Sequence, residues 1–307
     1  MAQIDDPEVL AFIARTEAAY PPEANTASAA DNRRTYDAMC AVFRQPRPDG
    51  VSVVDDTVAT VGIRTYRPAG AAPAAAVLFA HGGGFVVGSL DSHDDVCAEI
   101  AQRCGLAVVA VDYRLAPEHR HPAQLDDLET VWRWLSPQVE RVVLAGDSAG
   151  GCLSAGLALR LRRHGESMPA GLVLTYPGLG GDRSWPSYTD HAEAPMLRTS
   201  DLAAYETARF GVGGPQGPIE DAHPLAAADY AGLPPTFVVT ADVDPLRDDG
   251  RVFVERLAGA GVAAVWRNEP QLVHGYLRAR HSSRRAAASF AAVCEAVARF
   301  GRGDRLP

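Results

Sequence analysis

Eight short apolar, β-branched runs alternate with stretches of helical periodicity along most of this 307-residue chain. Few folds other than an α/β layer structure around a parallel sheet absorb that alternation. The runs occupy residues 51–54, 61–66, 75–80, 106–111, 141–145, 172–176, 236–241 and 262–267. A turn at Asp55-Asp56-Thr57 between the first two is too short for a crossover helix, so they are expected to pair antiparallel while later strands run parallel. Between runs, Leu125, Leu128, Trp132 and Leu135 share one helical face, as do Phe290, Val293, Cys294 and Val297. Asp6 and Pro7 have the character of an N-cap and first helical position, opening a helix with Val9, Phe12, Ile13 and Thr16 on one side. A second helical pattern runs near residues 26–43, before any strand.

The 59 residues separating Tyr176 from Thr236 contain no convincing strand. A structureless loop of that length is out of place in a compact domain, so a helical insertion is expected, with residues 201–210 its clearest helix. We read it as a lid. Its Trp185, Tyr188, Met196, Leu197, Tyr205 and Phe210 could line a pocket, although packing against the N-terminal helices is the expected role for most.

Composition excludes more than it identifies. At 47% hydrophobic and 22% charged, the chain fits one large soluble domain with an appendage. All 29 basic residues are arginine, which rules out Schiff-base chemistry and the lysine of P-loop and kinase sites. A net charge of −9 argues against a nucleic-acid or anionic-membrane partner. Arg278, Arg280, Arg284 and Arg285 form a local basic cluster, expected to be a solvated helix face. The five cysteines never fall as CxxC and are expected as buried reduced thiols. No apolar run reaches the roughly 18 residues of a membrane helix, and the acidic start, Met1 to Glu8, is unlike a signal peptide, so a cytoplasmic location is expected.

The chemistry lies in four places. Residues 141–151 put Gly146-Asp147-Ser148-Ala149-Gly150 at a strand end with a helical pattern immediately after, the context of a nucleophile on a sharp turn that needs flanking glycines. Upstream, residues 75–80 run into His81-Gly82-Gly83-Gly84-Phe85, where successive glycines free backbone N–H groups to face a cavity and hold an oxyanion. A base is expected on a loop after the last strand: His274 lies just past 262–267, whereas the rival His281 falls near the start of the C-terminal helix. The orienting acid should follow an earlier strand, and Asp242-Val243-Asp244 after 236–241 offers two carboxylates that spacing alone does not separate.

With these motifs in order, the chain resembles the hormone-sensitive-lipase-like bacterial esterases of the α/β-hydrolases. His81-Gly82-Gly83-Gly84, Asp112-Tyr113-Arg114-Leu115-Ala116-Pro117-Glu118, Gly146 to Gly151, Asp244-Pro245-Leu246-Arg247-Asp248 and His274-Gly275-Tyr276 carry the likeness, which runs from about Ala75 to Tyr276. It implies an α/β-hydrolase fold, an eight-stranded mostly parallel sheet flanked by helices with a helical cap. Residues 1–45 and 178–232 would form the cap, and 46–177 with 233–307 the core. The resemblance implies a triad of Ser148, Asp244 and His274 and an oxyanion hole of the Gly83, Gly84 and Ala149 amides; Phe85, next to the glycines, is expected as a substrate-binding residue. Tyr276 and His121 stand where the family often has Phe and a bulky aromatic, departures that bear on the pocket wall.

The implied activity is a carboxylesterase acting on short- to medium-chain acyl esters, with no metal or organic cofactor. The expected partner is a small-molecule ester, with a homodimer allowed for and no nucleic acid or integral membrane segment. An amidase or peptidase with the same triad is the runner-up, and a non-catalytic receptor on the same fold the third reading.

Overall fold

A computed structural model describes residues 4–21 and 28–304. The strands are β1 (Val51–Val58), β2 (Val61–Pro68), β3 (Ala75–Ala80), β4 (Ala107–Asp112), β5 (Arg141–Asp147), β6 (Gly171–Thr175), β7 (Thr236–Val243) and β8 (Ala264–Val273). They form one sheet in the order β1-β2-β4-β3-β5-β6-β7-β8. β1 pairs antiparallel with β2, and β2 with β4, while every pairing from β4 through β3 to β8 is parallel.

The helices are α1 (Pro7–Ala19), α2 (Ala29–Phe43), α3 (Asp94–Cys104), α4 (Ala123–Leu135), α5 (Ala149–Arg163), α6 (Pro186–Asp190), α7 (Thr199–Phe210), α8 (Ile219–Ala222), α9 (Arg247–Gly259) and α10 (Arg284–Arg302). Asp6 caps α1 by accepting from the Glu8 and Val9 amides, and Val9, Phe12, Ile13 and Thr16 are its buried face. The start of α2 expected at Thr26 lies outside the described residues, as do Met1 to Gln3; Ser28 caps the helix that is described.

Two layers sandwich the sheet, and alternation along the strands decides which side chain serves which layer. In β3, Val77 and Phe79 join the core shared with α2, α3 and α10, whereas Leu78 and Ala80 join the core shared with α4, α5 and α9. Because both faces are covered, the central strands are apolar between their ends, which is why they stand out in the sequence.

Three expectations need correction. Asp55-Asp56-Thr57 is strand, not turn: β1 runs to Val58 and the reversal falls at Ala59-Thr60. β1 is an edge strand, where exposed charge is tolerated and blunts pairing with other chains, and Arg64 on β2 pairs with Asp55 at 2.6 Å. β8 extends to Val273, through Glu269, Pro270 and Gln271, because it is the opposite edge and pairs only with β7. The basic cluster is not one solvated face. Arg280 is buried in an ion pair with Asp95 and Glu99, Arg278 is partly buried against Tyr36 and Cys40, and only Arg284 and Arg285 sit on the exposed start of α10, paired with Glu8 and Asp6. All five cysteines are free, four of them buried and Cys104 partly so. Among the described residues, no helix is long and apolar enough to cross a membrane.

Candidate active site

The parallel strands deliver their side chains to the crevice at their C-terminal ends. β5 ends at Asp147, α5 begins at Ala149, and Ser148 between them has φ 51° and ψ −116°, a region that costs a non-glycine residue on the order of 1–3 kcal/mol. The turn closes because Gly146 and Gly150 are bare: a Cβ on Gly150 would overlap the Ala80 carbonyl oxygen. The Ser148 amide donates to the Thr175 carbonyl of β6 at 2.9 Å, fixing the elbow to the neighbouring strand.

Ser148 Oγ lies 2.8 Å from His274 Nε2, and His274 Nδ1 lies 2.7 Å from Asp244 Oδ2. His274 directly follows β8, and Asp244 directly follows β7, so three strand ends supply the three groups. Asp244 is fully buried, and its other oxygen accepts the Leu246 amide at 2.8 Å. Asp242 faces elsewhere, accepting from Asn268 Nδ2 at 2.8 Å, and His281 binds Glu99 at 2.7 Å.

After β3 the glycine loop turns through φ 124° at Gly83, 59° at Gly84 and 66° at Phe85. The Gly83 carbonyl accepts the Val86 and Val87 amides, curling the loop, and a Cβ on Gly84 would run into the Tyr205 ring. Gly83, Gly84 and Ala149 border the same cavity as Ser148, with the positive end of α5 behind it.

Asp147 braces this loop: its Oδ1 accepts the Gly82 amide at 2.9 Å and lies 3.1 Å from His93 Nε2. Burial pushes its carboxyl up, but His93, the Arg278 charge and the Gly82 amide outweigh burial and hold it at about 2. Burial, reinforced by His93, pushes His81 down to about 4, so its ring is neutral near pH 7. That ring stacks on Tyr113 with centroids 4.3 Å apart, and the Tyr113 hydroxyl donates to the His81 carbonyl at 2.7 Å. The sequence reading missed His93 and Tyr113 as supports; a buried carboxylate beside Ser148, in need of partners, was the pointer to His93, and Tyr113 entered only as part of a motif.

The cavity holds about 470 Å³. Tyr188, Met196, Leu197 and Tyr205 of the insertion line it, more than expected, while Trp185 packs beside Tyr188 and Phe210 stacks on His223. Phe85 lines it too, beneath the Arg209 guanidinium at 3.6 Å. Thr16 and Tyr20 of α1 and its C-cap, Tyr36 and Met39 of α2, and Arg278 complete walls that no motif announced. Tyr276 and His121 are not among the lining residues. Tyr276 is buried with its hydroxyl 2.7 Å from Ser289 Oγ, and His121 packs edge-on against Phe210. One group among the described residues has metal-ligand spacing, Glu129, His164 and Glu166, but Arg133 already pairs with both glutamates and none of the three lines the cavity.

Residues 77–278 match the family described as alpha/beta hydrolase fold. The chain is 39% identical over 248 residues to Esterase LipI of Mycobacterium tuberculosis, covering 76% of this chain and 78% of that one. It is 41% identical over 214 residues to Carboxylesterase NlhH of the same organism, covering 66% of each. The crystal structure of an esterase from the bacterial hormone-sensitive lipase family superposes with a TM-score of 0.87 at 30% identity, covering 98% of this chain and 99% of that one. Sheet order, the sharp strand-to-helix turn at Ser148 and these likenesses agree: the chain belongs to the alpha/beta hydrolase fold family, among its hormone-sensitive-lipase-like bacterial esterases.

Proposed function

We propose that this carboxylic ester hydrolase cleaves short- to medium-chain acyl esters by two-step acyl transfer, with Ser148 as nucleophile, His274 as general base and acid, and Asp244 as the orienting carboxylate. The observation that carries the reading is the relay of 2.8 and 2.7 Å contacts from Ser148 through His274 to Asp244. Neutral His274 accepts the Ser148 proton at Nε2 as Oγ attacks the ester carbonyl. Asp244, accepting from Nδ1–H, holds that tautomer and stabilises the imidazolium. The Gly83, Gly84 and Ala149 amides take the developing oxyanion. His274 then protonates the departing alkoxide, and water, deprotonated by the same ring, hydrolyses the acyl-enzyme.

In this reading residues 1–45 and 178–232 form the cap, over a core of 46–177 and 233–307. Its support is the share of the cavity wall contributed by α1, α2, α6 and α7. Phe85 is read as a substrate contact beside the oxyanion loop.

The test is Ser148→Ala. It should fold, since among the described residues the hydroxyl hydrogen-bonds only to His274 while the backbone amide holds the turn, and lose nearly all kcat, keeping only what binding and the oxyanion hole supply, roughly 10³ to 10⁴ over water. Retention of more than about a tenth of wild-type kcat in a verified preparation would overturn the assignment.

A further inference from the structure

Four arginines among the described residues line the catalytic cavity, and they differ in what neutralises them. Arg183 pairs with Glu206 at 2.9 Å and Arg198 with Asp201 at 3.4 Å. Arg209 is buried, its guanidinium lies against the Phe85 ring, and its unpartnered Nε and Nη2 have no surface a ligand could reach. Among the described residues, Arg278 alone of the four is both accessible and without a carboxylate partner. Its Nε donates to Cys40 Sγ at 3.4 Å and its Nη2 to the Tyr36 hydroxyl, with the Tyr36 ring 5.0 Å away. Neither partner carries a charge to match it, Nη1 has no protein acceptor among the described residues, and the side chain keeps part of its surface in the cavity. Asp147 feels this cation without touching it, being already committed to Gly82 and His93.

A guanidinium withdrawn from water without a carboxylate partner is expensive, and its planar fork is shaped for bidentate pairing with one. Arg278 sits four positions after His274 on the 3-10 turn Tyr276–Ala279, which places it on the histidine side of the cavity. Gly275 between them keeps Nη1 open, since a Cβ there would stand 3.2 Å from it. We propose that Arg278 is an anion-binding residue, and that the substrates this enzyme is built for are esters bearing a carboxylate, on the acyl or the alcohol part, which pairs with this guanidinium while Ser148 attacks the ester carbonyl. The proposal rests on the catalytic reading of Ser148 given above. Because a net charge of −9 opposes the approach of any anion, the signature lies in the ratio between matched substrates and not in absolute rate.

The experiment compares kcat/KM for two pairs. The acyl arm sets mono-4-nitrophenyl glutarate against 4-nitrophenyl pentanoate, and the alcohol arm sets 4-butyryloxybenzoate against its methyl ester. In at least one arm, the anionic-to-neutral ratio should fall about tenfold or more in Arg278→Gln and recover in part in Arg278→Lys. Tyr36→Phe removes the same tie to α2 but keeps the cation, and should leave that ratio within about threefold of wild type. An unchanged ratio in Arg278→Gln in both arms, or an equal fall in Tyr36→Phe, would overturn the proposal. So would a wild type that disfavours the anionic member of both pairs by more than about tenfold, a result that requires no variant to fold. Cleavage of the neutral pentanoate by wild type, and its loss in Ser148→Ala, checks the catalytic reading separately.

Discussion

Asp242 and Asp244 stand two positions apart, a spacing that in a regular strand turns both side chains to one face. The β7–β8 register shifts between Ala241 and Val243, and the strand ends there, so Asp244 leaves the pleat and meets His274 while Asp242 stays with Asn268 on β8. Asp244→Asn should therefore lower kcat by about 10⁴, by leaving the imidazole in the wrong tautomer, whereas Asp242→Asn should have a small effect. Steady-state kinetics of the two purified variants decides it, and the reverse ranking would move the acid to Asp242. The bulge that separates the two carboxylates leaves no mark in the residue string, which is why spacing alone left both open. Ser148 and His274 were legible because each depends on local chain geometry: glycines around a strained elbow, and a loop after a final strand. Tyr20, Tyr36 and Arg278 were not, because docking of distant segments brings them to the cavity.

At the scale of elements, apolar period carried the reading. Central strands buried on both faces and amphipathic helices such as α4 and α10 are written plainly, while the edge strands β1 and β8 were cut short because charge and proline are admissible at an edge. How the insertion is fastened was not legible at all. Asp249 in the first turn of α9 accepts the Leu179 amide at 2.7 Å, the Gly181 amide at 3.2 Å and the Tyr188 hydroxyl at 2.7 Å, clamping the start of the insertion to the core. Burial pushes this carboxyl up from 3.8 to about 6, more than the three donors pull it down. An acid whose folded pKa lies above its ordinary value binds its proton more tightly when folded. Its contribution to stability is complete below about pH 4 and is lost as pH rises through about 6, on the order of 3 kcal/mol in all. Asp147, held at about 2, has the opposite sign, and its contribution is lost only as pH falls from 3.8 towards 2. Between pH 4 and 6.5 the wild type's Tm should accordingly drop several degrees further than that of Asp249→Asn, which stays neutral across the range. Equal drops in the two proteins would show that Asp249 is charged throughout.

The molecule as a whole determines which esters it can accept. Its cavity of about 470 Å³ lies within the roughly 300–1,000 Å³ usual for small-molecule sites, and segments from both ends of the first 210 residues wall it. An enzyme that works at an oil surface needs instead a large contiguous apolar rim. Among the described residues, the exposed large apolar side chains, Leu10, Val42, Val54, Trp134, Val212 and Ile219, come from six separate segments, and none lines the cavity. Exposed Glu17 and Glu193 are among the residues that do. Each methylene that fits inside should improve binding by up to about 0.8 kcal/mol, and the first that does not should cost overpacking strain of roughly 1–3 kcal/mol. Since 1.4 kcal/mol is about a factor of ten, kcat/KM for a series of 4-nitrophenyl esters should peak at acyl chains of about two to eight carbons and fall by roughly tenfold or more for long chains. Rates that climb through the long-chain esters, with a jump once the substrate forms an emulsion, would mean that the cap opens a face to lipid and that the bounded pocket does not govern selection.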